Sequence, residues 1–131
     1  MDLDELADRL EEAAARVGPE VERTVHRQAM LLRGRIRANA SGRPGPNVIT
    51  GQYRSSWEID AFPVPHGGGA EVGTNAPQGR RLEFGFFDMT DSLGRHYFQP
   101  PFPHVGPAVD ALSPGYEHAF RQALDDIFGG A

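Results

Sequence analysis

The chain of 131 residues contains no cysteine, which excludes a disulfide framework and any thiolate metal site. Lysine is also absent, so all 13 basic residues are arginine. Arginine suits bidentate pairing at interfaces, and arginine-only usage follows equally from GC-rich coding. No apolar run approaches the roughly 18 residues of a membrane span. The N-terminus is acidic where a secretory signal is basic, so a protein made in the cytoplasm and not inserted in a membrane is expected. The five histidines, His26, His66, His96, His104 and His118, form no HxxxH or HExxH spacing, and no metal or cofactor is expected. The glycines Gly67, Gly68 and Gly69 lack the following GK[ST] of a phosphate loop, and no GxSxG nucleophile elbow occurs. Internal repeats and low-complexity tracts are missing too.

The composition that remains is loop-rich, with 16 glycines, 11 prolines and a hydrophobic fraction of 39%. The length fits one domain, 1–131, able to bury about two-thirds of its unfolded surface. A net charge of −5 and a pI near 5.5 argue against a general nucleic-acid binder, which gains affinity by neutralising phosphates.

Leu3, Leu6, Leu10, Ala14, Val17, Val21, Val25, Ala29, Leu32 and Ile36 recur in steps of three and four, which predicts a long amphipathic helix within 1–40. Gly18-Pro19 predicts a kink or a junction of two helices, because proline lacks the donor that a helix interior needs. Charge is polarised along this element. Asp2, Asp4, Glu5, Asp8, Glu11 and Glu12 stand at one end, and Arg23, Arg27, Arg33, Arg35, Arg37 and Arg43 at the other. Either the helix face is simply solvated, or its ends meet oppositely charged partners; Arg33, Arg35 and Arg37 are the candidate contacts. A DNA-contacting module using the face between Arg23 and Arg43 is the alternative.

Residues 40–48 (ASGRPGPNV) read as a loop. Thr50 is the expected N-cap of a short helical turn through Ser56. Trp57, Ile59 and Ala61 then alternate with Glu58 and Asp60, as in a strand with one buried face. Pro63 and Pro65 put that strand at a sheet edge, and His66 to Gly69 should turn the chain. Residues 70–86 (AEVGTNAPQGRRLEFGF) read as strand, turn, one helical turn and strand. Gly73 and Gly85 permit positive φ, and Thr74 and Asn75 can cap backbone N–H groups. Glu83 is expected to accept hydrogen bonds from the Thr74-Asn75 turn or to pair with Arg54. Beyond it, Phe86, Phe87, Tyr97 and Phe98 flank a polar tip, Asp91 to Arg95, in a hairpin whose aromatics either fold over the core or meet a neighbour. Pro107 suits the first turn of a last helix within 105–128 carrying Val109, Leu112, Tyr116, Phe120, Leu124 and Ile127, with a kink or restart at Ser113-Pro114. The predicted fold is α+β. A small antiparallel β-sheet of three to five strands, within 50–99, packs against the C-terminal helix, with the long N-terminal helix alongside.

Three motifs in one order carry a resemblance. They are Thr50-Gly51-Gln52-Tyr53-Arg54-Ser55-Ser56, then VGTN-x-P (Gly73, Thr74, Asn75, Pro77) with LEFG (Leu82, Glu83, Phe84, Gly85), then a proline-rich entry to the last helix, Gln99 to Ala108. Over roughly residues 50–112 the chain resembles the neck proteins of long-tailed bacteriophages, the head-tail joining and tail-completion family. It differs from the commonest pattern at Gln78-Gly79-Arg80 and by a longer segment from Phe86 to Phe98. The resemblance implies a structural virion protein of the neck without enzymatic activity or cofactor, cytoplasmic in the host before assembly. It implies a six-fold ring of identical subunits between a connector or head-closure protein and a tail terminator or major tail protein. DNA would pass through its lumen without sequence-specific binding.

Overall fold

A computed structural model describes residues 1–48 and 51–129, with residues 87–89 described through the backbone alone. The element order is α1 (Leu3–Asn39), α2 (Gln52–Ser55), β1 (Glu58–Val64), β2 (Gly67–Gly73), α3 (Gln78–Phe84), β3 (Phe86–Thr90), β4 (His96–Gln99) and α4 (Val105–Phe128). The class is α+β as the sequence predicts: a long N-terminal helix, small antiparallel pairing and a C-terminal helix. In place of one sheet of three to five strands, the described residues form two separate two-stranded sheets, β1-β2 and β3-β4. Pro63 and Pro65 withhold ladder donors from the first hairpin, and Pro100-Pro101 end the second, so neither extends sideways.

By backbone packing the chain divides into two compact units, Met1–Leu31 with Ile59–Glu71 and Leu112–Ala131, and Leu32–Glu58 with Val72–Ala111. In the first, α1 runs through Gly18-Pro19 without dividing into two helices. Packing substitutes there for the missing donor: Val17 and Val21 are half-buried, and a Cβ on Gly18 would stand 3.7 Å from the backbone of His66. The buried stripe of the helix is offset from the apolar count. Ala29 and Ile36 are buried as counted, but Ala13 and Thr24 are buried too, whereas Ala14 is exposed. The turn of the first hairpin is Pro65-His66, with His66 at φ 62°, and the three glycines lie inside β2. They are there because the strand runs flush on the helix. A Cβ on Gly68 would stand 2.9 Å from the Glu22 side chain, and one on Gly67 would stand 3.1 Å from Val21. The expected buried face of β1 forms only at its start: Trp57 is buried and Ile59 half-buried, but Ala61 is exposed. On α4, Ala123 and Ile127 are buried while Leu124 is exposed. The end of α4 is tied by Arg16, whose Nη2 donates to the Ile127 carbonyl at 2.7 Å.

In the second unit, Ile36, Trp57 and Ala108 form the core, with Leu32, Tyr53, Val72 and Val105 packed against it. Val109, counted with the apolar stripe, is exposed; Ala108 takes the buried place. Helix α4 continues through Pro114 without a restart. Strands β3 and β4 pair antiparallel, with Phe86 opposite Gln99 and Thr90 opposite His96 and a register shift between Phe86 and Met89. Asp91 organises the tip by accepting from the backbone N–H groups of Leu93 and Arg95, each at 2.9 Å, and from the Tyr97 hydroxyl at 2.9 Å.

Candidate functional site

The three motifs converge on the N-terminus of α4. A helix start leaves backbone N–H groups without intrahelical acceptors, and the residues before Val105 (Gln99-Pro-Pro-Phe-Pro-His) include no Ser, Thr, Asp or Asn to accept them. Glu83 does so from α3. Its Oε2 accepts from the N–H of His104 at 2.8 Å and of Val105 at 3.0 Å, and its Oε1 accepts from Gly106 at 2.8 Å. The partners expected for Glu83 are thereby corrected. The Thr74-Asn75 turn does not engage it, and the Arg54 Nη1 instead donates to the Ser41 hydroxyl at 3.1 Å. The α4 terminus wins because its free donors and positive dipole end favour a carboxylate.

His104 is fully buried. Its Nδ1 lies 2.9 Å from the Phe102 carbonyl and 3.1 Å from Glu83 Oε2, and its Nε2 lies 2.6 Å from the Tyr53 hydroxyl. Two acceptors face Nδ1, so that nitrogen carries a proton, while the Tyr53 hydroxyl at Nε2 can donate or accept. The ring packs edge-on to Tyr53 and Trp57 at centroid distances of 5.6 and 6.0 Å. Asn39, at the end of α1, donates from Nδ2 to the His104 carbonyl at 3.2 Å. Burial disfavours the Glu83 carboxylate, but the backbone donors of Val105, His104 and Gly106, helped by the charge of His104, outweigh it and hold the pKa below the ordinary value. Burial, reinforced by the Glu83 charge, pushes the Tyr53 phenol up.

The series Tyr53, His104, Glu83 has the connectivity of a proton relay, but its geometry is that of a clamp. The carboxylate is saturated with backbone donors, the imidazole is closed to solvent, and a phenol with raised pKa is a poor nucleophile at neutral pH. Among the described residues no cluster of His, Asp and Glu could hold a metal ion.

Other motif residues support this clamp. Gly51, at φ 79°, occupies the N-cap position of α2, where Thr50 was expected; Thr50 lies outside the described residues. Thr74 Oγ1 accepts from the Ala76 N–H at 3.1 Å and bonds the Ser56 hydroxyl at 2.6 Å, joining the first and second motifs. Asn75 is exposed. Pro77, at φ −65°, precedes α3, which makes nearly two turns in place of the expected one. The Leu82 carbonyl accepts from Phe102 N–H at 2.6 Å. Phe84 points outward, 74% exposed. Gly85 has φ 70°, and a Cβ there would stand 2.6 Å from the Gln99 carbonyl oxygen. Only glycine lets the chain reverse at that point. Gly73 is different: its φ is not positive and a Cβ would meet nothing within 4 Å, so the expected backbone requirement is absent.

The candidate interface residues are dispersed. Arg37 is turned inward, its Nη2 donating to the Trp57 carbonyl at 2.7 Å, whereas Arg35 is exposed and Arg33 half-buried. Tyr97 and Phe98 are exposed and Phe86 is half-buried; the side chain of Phe87 lies outside the described residues. Of the other arginines in the basic segment, Arg23 pairs with Glu20 at 2.6 Å and Arg43 lies 3.6 Å above the Phe102 ring. Sequence reasoning passed over His104, Tyr53 and Asn39. The signal available was the missing local cap before α4, which demands an acceptor from elsewhere in the chain.

The clamp fixes three chain segments, α3, the proline-rich segment and the start of α4, around one carboxylate. The chain matches, over residues 4–85, the family described as "Bacteriophage HK97-gp10, putative tail-component", and belongs to that HK97-gp10-like family. This is a family of virion components and not an enzyme class. The matched segment ends at Gly85, so Glu83 lies inside it and His104 beyond it. No curated protein and no solved structure matches the chain.

Proposed function

We propose that this tail-component family member works in the phage neck, as one subunit of a closed ring that joins or completes the head-tail junction. The observation that supports this reading is apolar surface left open on hydrogen-bonded elements. Phe84, Leu93 and Phe98 are 74%, 75% and 62% exposed, and the loop bearing Leu93 is pinned by Asp91. Large exposed apolar groups on a rigid support mark contact surfaces. Rings close when a heterologous interface repeats with a closing rotation, and six copies would match the symmetry expected of a tail. The adjoining partners would be a connector or head-closure protein on one side and a tail terminator or major tail protein on the other. DNA would pass through the lumen without base readout.

Deleting the gene from its phage tests this reading. The expected lysate contains DNA-filled heads and free tails but no joined particles. Electron cryo-microscopy of complete particles should place a ring of this chain at the neck. Infectious particles assembled without the chain, or density for it elsewhere in the virion, would overturn the proposal.

A further inference from the structure

We infer that a cavity beside α2 docks a segment of another virion protein, one that carries a bulky apolar side chain next to an Asp or Glu. This rests on the chain's being a virion component and needs neither a neck position nor a ring. The cavity encloses about 520 Å³ between the loop before α2, α2 itself, α3 and the segment before α4, all within one compact unit. That volume falls in the range of specific ligand sites, roughly 300–1,000 Å³. Its wall is fixed from behind. The Phe102 N–H donates to the Leu82 carbonyl at 2.6 Å, and the Tyr53 hydroxyl lies 2.6 Å from His104 Nε2. A wall set before binding loses little entropy when an occupant arrives.

Val48, Tyr53, Leu82 and Phe102 make the interior apolar, and Arg43 and Arg54 stand among them with no Asp or Glu in the described wall. Arg23, Arg95 and Arg121 each pair with a carboxylate of their own chain. Arg43 and Arg54 do not: Arg43 lies on the Phe102 ring and donates to the Gly45 carbonyl at 3.1 Å, and Arg54 donates to the Ser41 hydroxyl at 3.1 Å. Each of these bonds uses one of five N–H donors. Both guanidinium groups are thus oriented yet keep donors for a carboxylate, the acceptor they match in bidentate form. Nucleic acid fits less well, because a net charge of −5 opposes every phosphate of a polyanion and Arg43 already covers one face of the Phe102 ring. The chain's own most exposed apolar residues do not supply the missing acid. Leu93 neighbours Asp91 and Phe84 neighbours Glu83, both carboxylates already engaged, and Asp4, Glu5, Asp8, Glu11 and Glu12 lie on the side of α1 away from Leu3. The occupant therefore comes from a different protein.

A random library of capped hexapeptides, selected on the purified chain, tests the chemistry. Selected sequences should carry Leu, Ile, Phe or Trp within two positions of an Asp or Glu. Affinity should fall about tenfold when that acid is replaced by its amide, and equally with Arg43→Gln or Arg54→Gln in the protein. The peptide substitution leaves the protein untouched, so it decides even where a variant unfolds. No selected sequence, selected sequences without acids, or equal binding by both arginine variants overturns the inference. So does self-association of the chain that Arg54→Gln abolishes, which assigns the cavity to a second copy, or displacement of the peptide by a single-stranded oligonucleotide. In phage particles, a photoreactive benzoylphenylalanine in place of Gln78, an exposed residue of the wall, should cross-link to an acidic-apolar segment of a different virion protein. Cross-links only to its own chain or to DNA overturn the inference, and so does absence of the chain from the particles. Density for the chain away from the neck would remove the ring and leave the docking site standing.

Discussion

The two long helices begin in opposite ways. Helix α1 is capped from next door: Asp2 Oδ1 accepts the Glu5 N–H at 2.8 Å in full solvent, and Asp4 and Glu5 lie in its first turn. Helix α4 has no acidic residue in its first turn and takes its cap from Glu83, 21 to 23 residues earlier in the chain. A local cap stabilises one helix end and frays with it. A distant cap joins three chain segments, so that losing it loosens α3, the proline-rich segment and α4 together. The first kind of terminus can fray on its own, and the second belongs to a fixed frame.

The sharpest way to break this contrast is to remove the distant cap. Glu83→Ala leaves three donors without their acceptor and an imidazole without its carboxylate; at about 1 to 3 kcal/mol for an unsatisfied buried donor, with Gly106 able to turn to water, a loss of about 3 kcal/mol is expected in urea unfolding. A loss below about 1 kcal/mol would reduce Glu83 to an ordinary surface cap.

A second experiment sharpens the comparison through pH. The folded Glu83 pKa lies below the ordinary 4.5, so the folded state binds the proton less readily than the unfolded chain. Its contribution is therefore complete above about pH 4.5 and declines as pH falls from there through the folded value. Glu83→Gln should be less stable than the parent at neutral pH and show a shallower acid decline. Parallel stability curves for the two proteins between pH 6 and 3 would contradict the assignment.

The smallest effect belongs to the local cap. Asp2→Ala should cost about 0.5 to 1 kcal/mol of helix stability. Because residues 1–12 are exposed, the urea midpoint should scarcely move, and the change should appear as faster amide exchange in the first turn. A midpoint shift equal to that of Glu83→Ala would show that this helix end is coupled to the frame.

Much of the architecture was legible because its causes are local. The three-four spacing from Leu3 to Ile36 predicts α1, the break at Gly85 predicts the end of α3, and the Asp91 to Arg95 tip predicts the second hairpin. What misled was also local. Pro19 signals a break, yet the helix continues because packing against the first hairpin outweighs one missing hydrogen bond. Gly67 to Gly69 signal a turn, yet they form a strand because only a strand without side chains fits against Val21 and Glu22. The apolar count selects Ala14, Val109 and Leu124, while Ala13, Ala108 and Ala123 are buried. Periodicity gives a stripe, and the direction of approach of the neighbouring element chooses its edge.

By itself the sequence determined the two long helices, the second hairpin and the family, since each is written in contiguous residues or their spacing. It also made Gly85 necessary, because a positive φ against a nearby carbonyl admits no side chain. Tertiary structure alone decided what Glu83 and His104 do. A carboxylate between Leu82 and Phe84 carries no sign of its acceptor role until folding brings it to three N–H groups more than twenty residues away. His104 becomes a buried bridge only where Tyr53 reaches one ring nitrogen and a carbonyl and a carboxylate reach the other. Such assignments depend on which donors meet which acceptors in space, and a linear pattern does not hold that information.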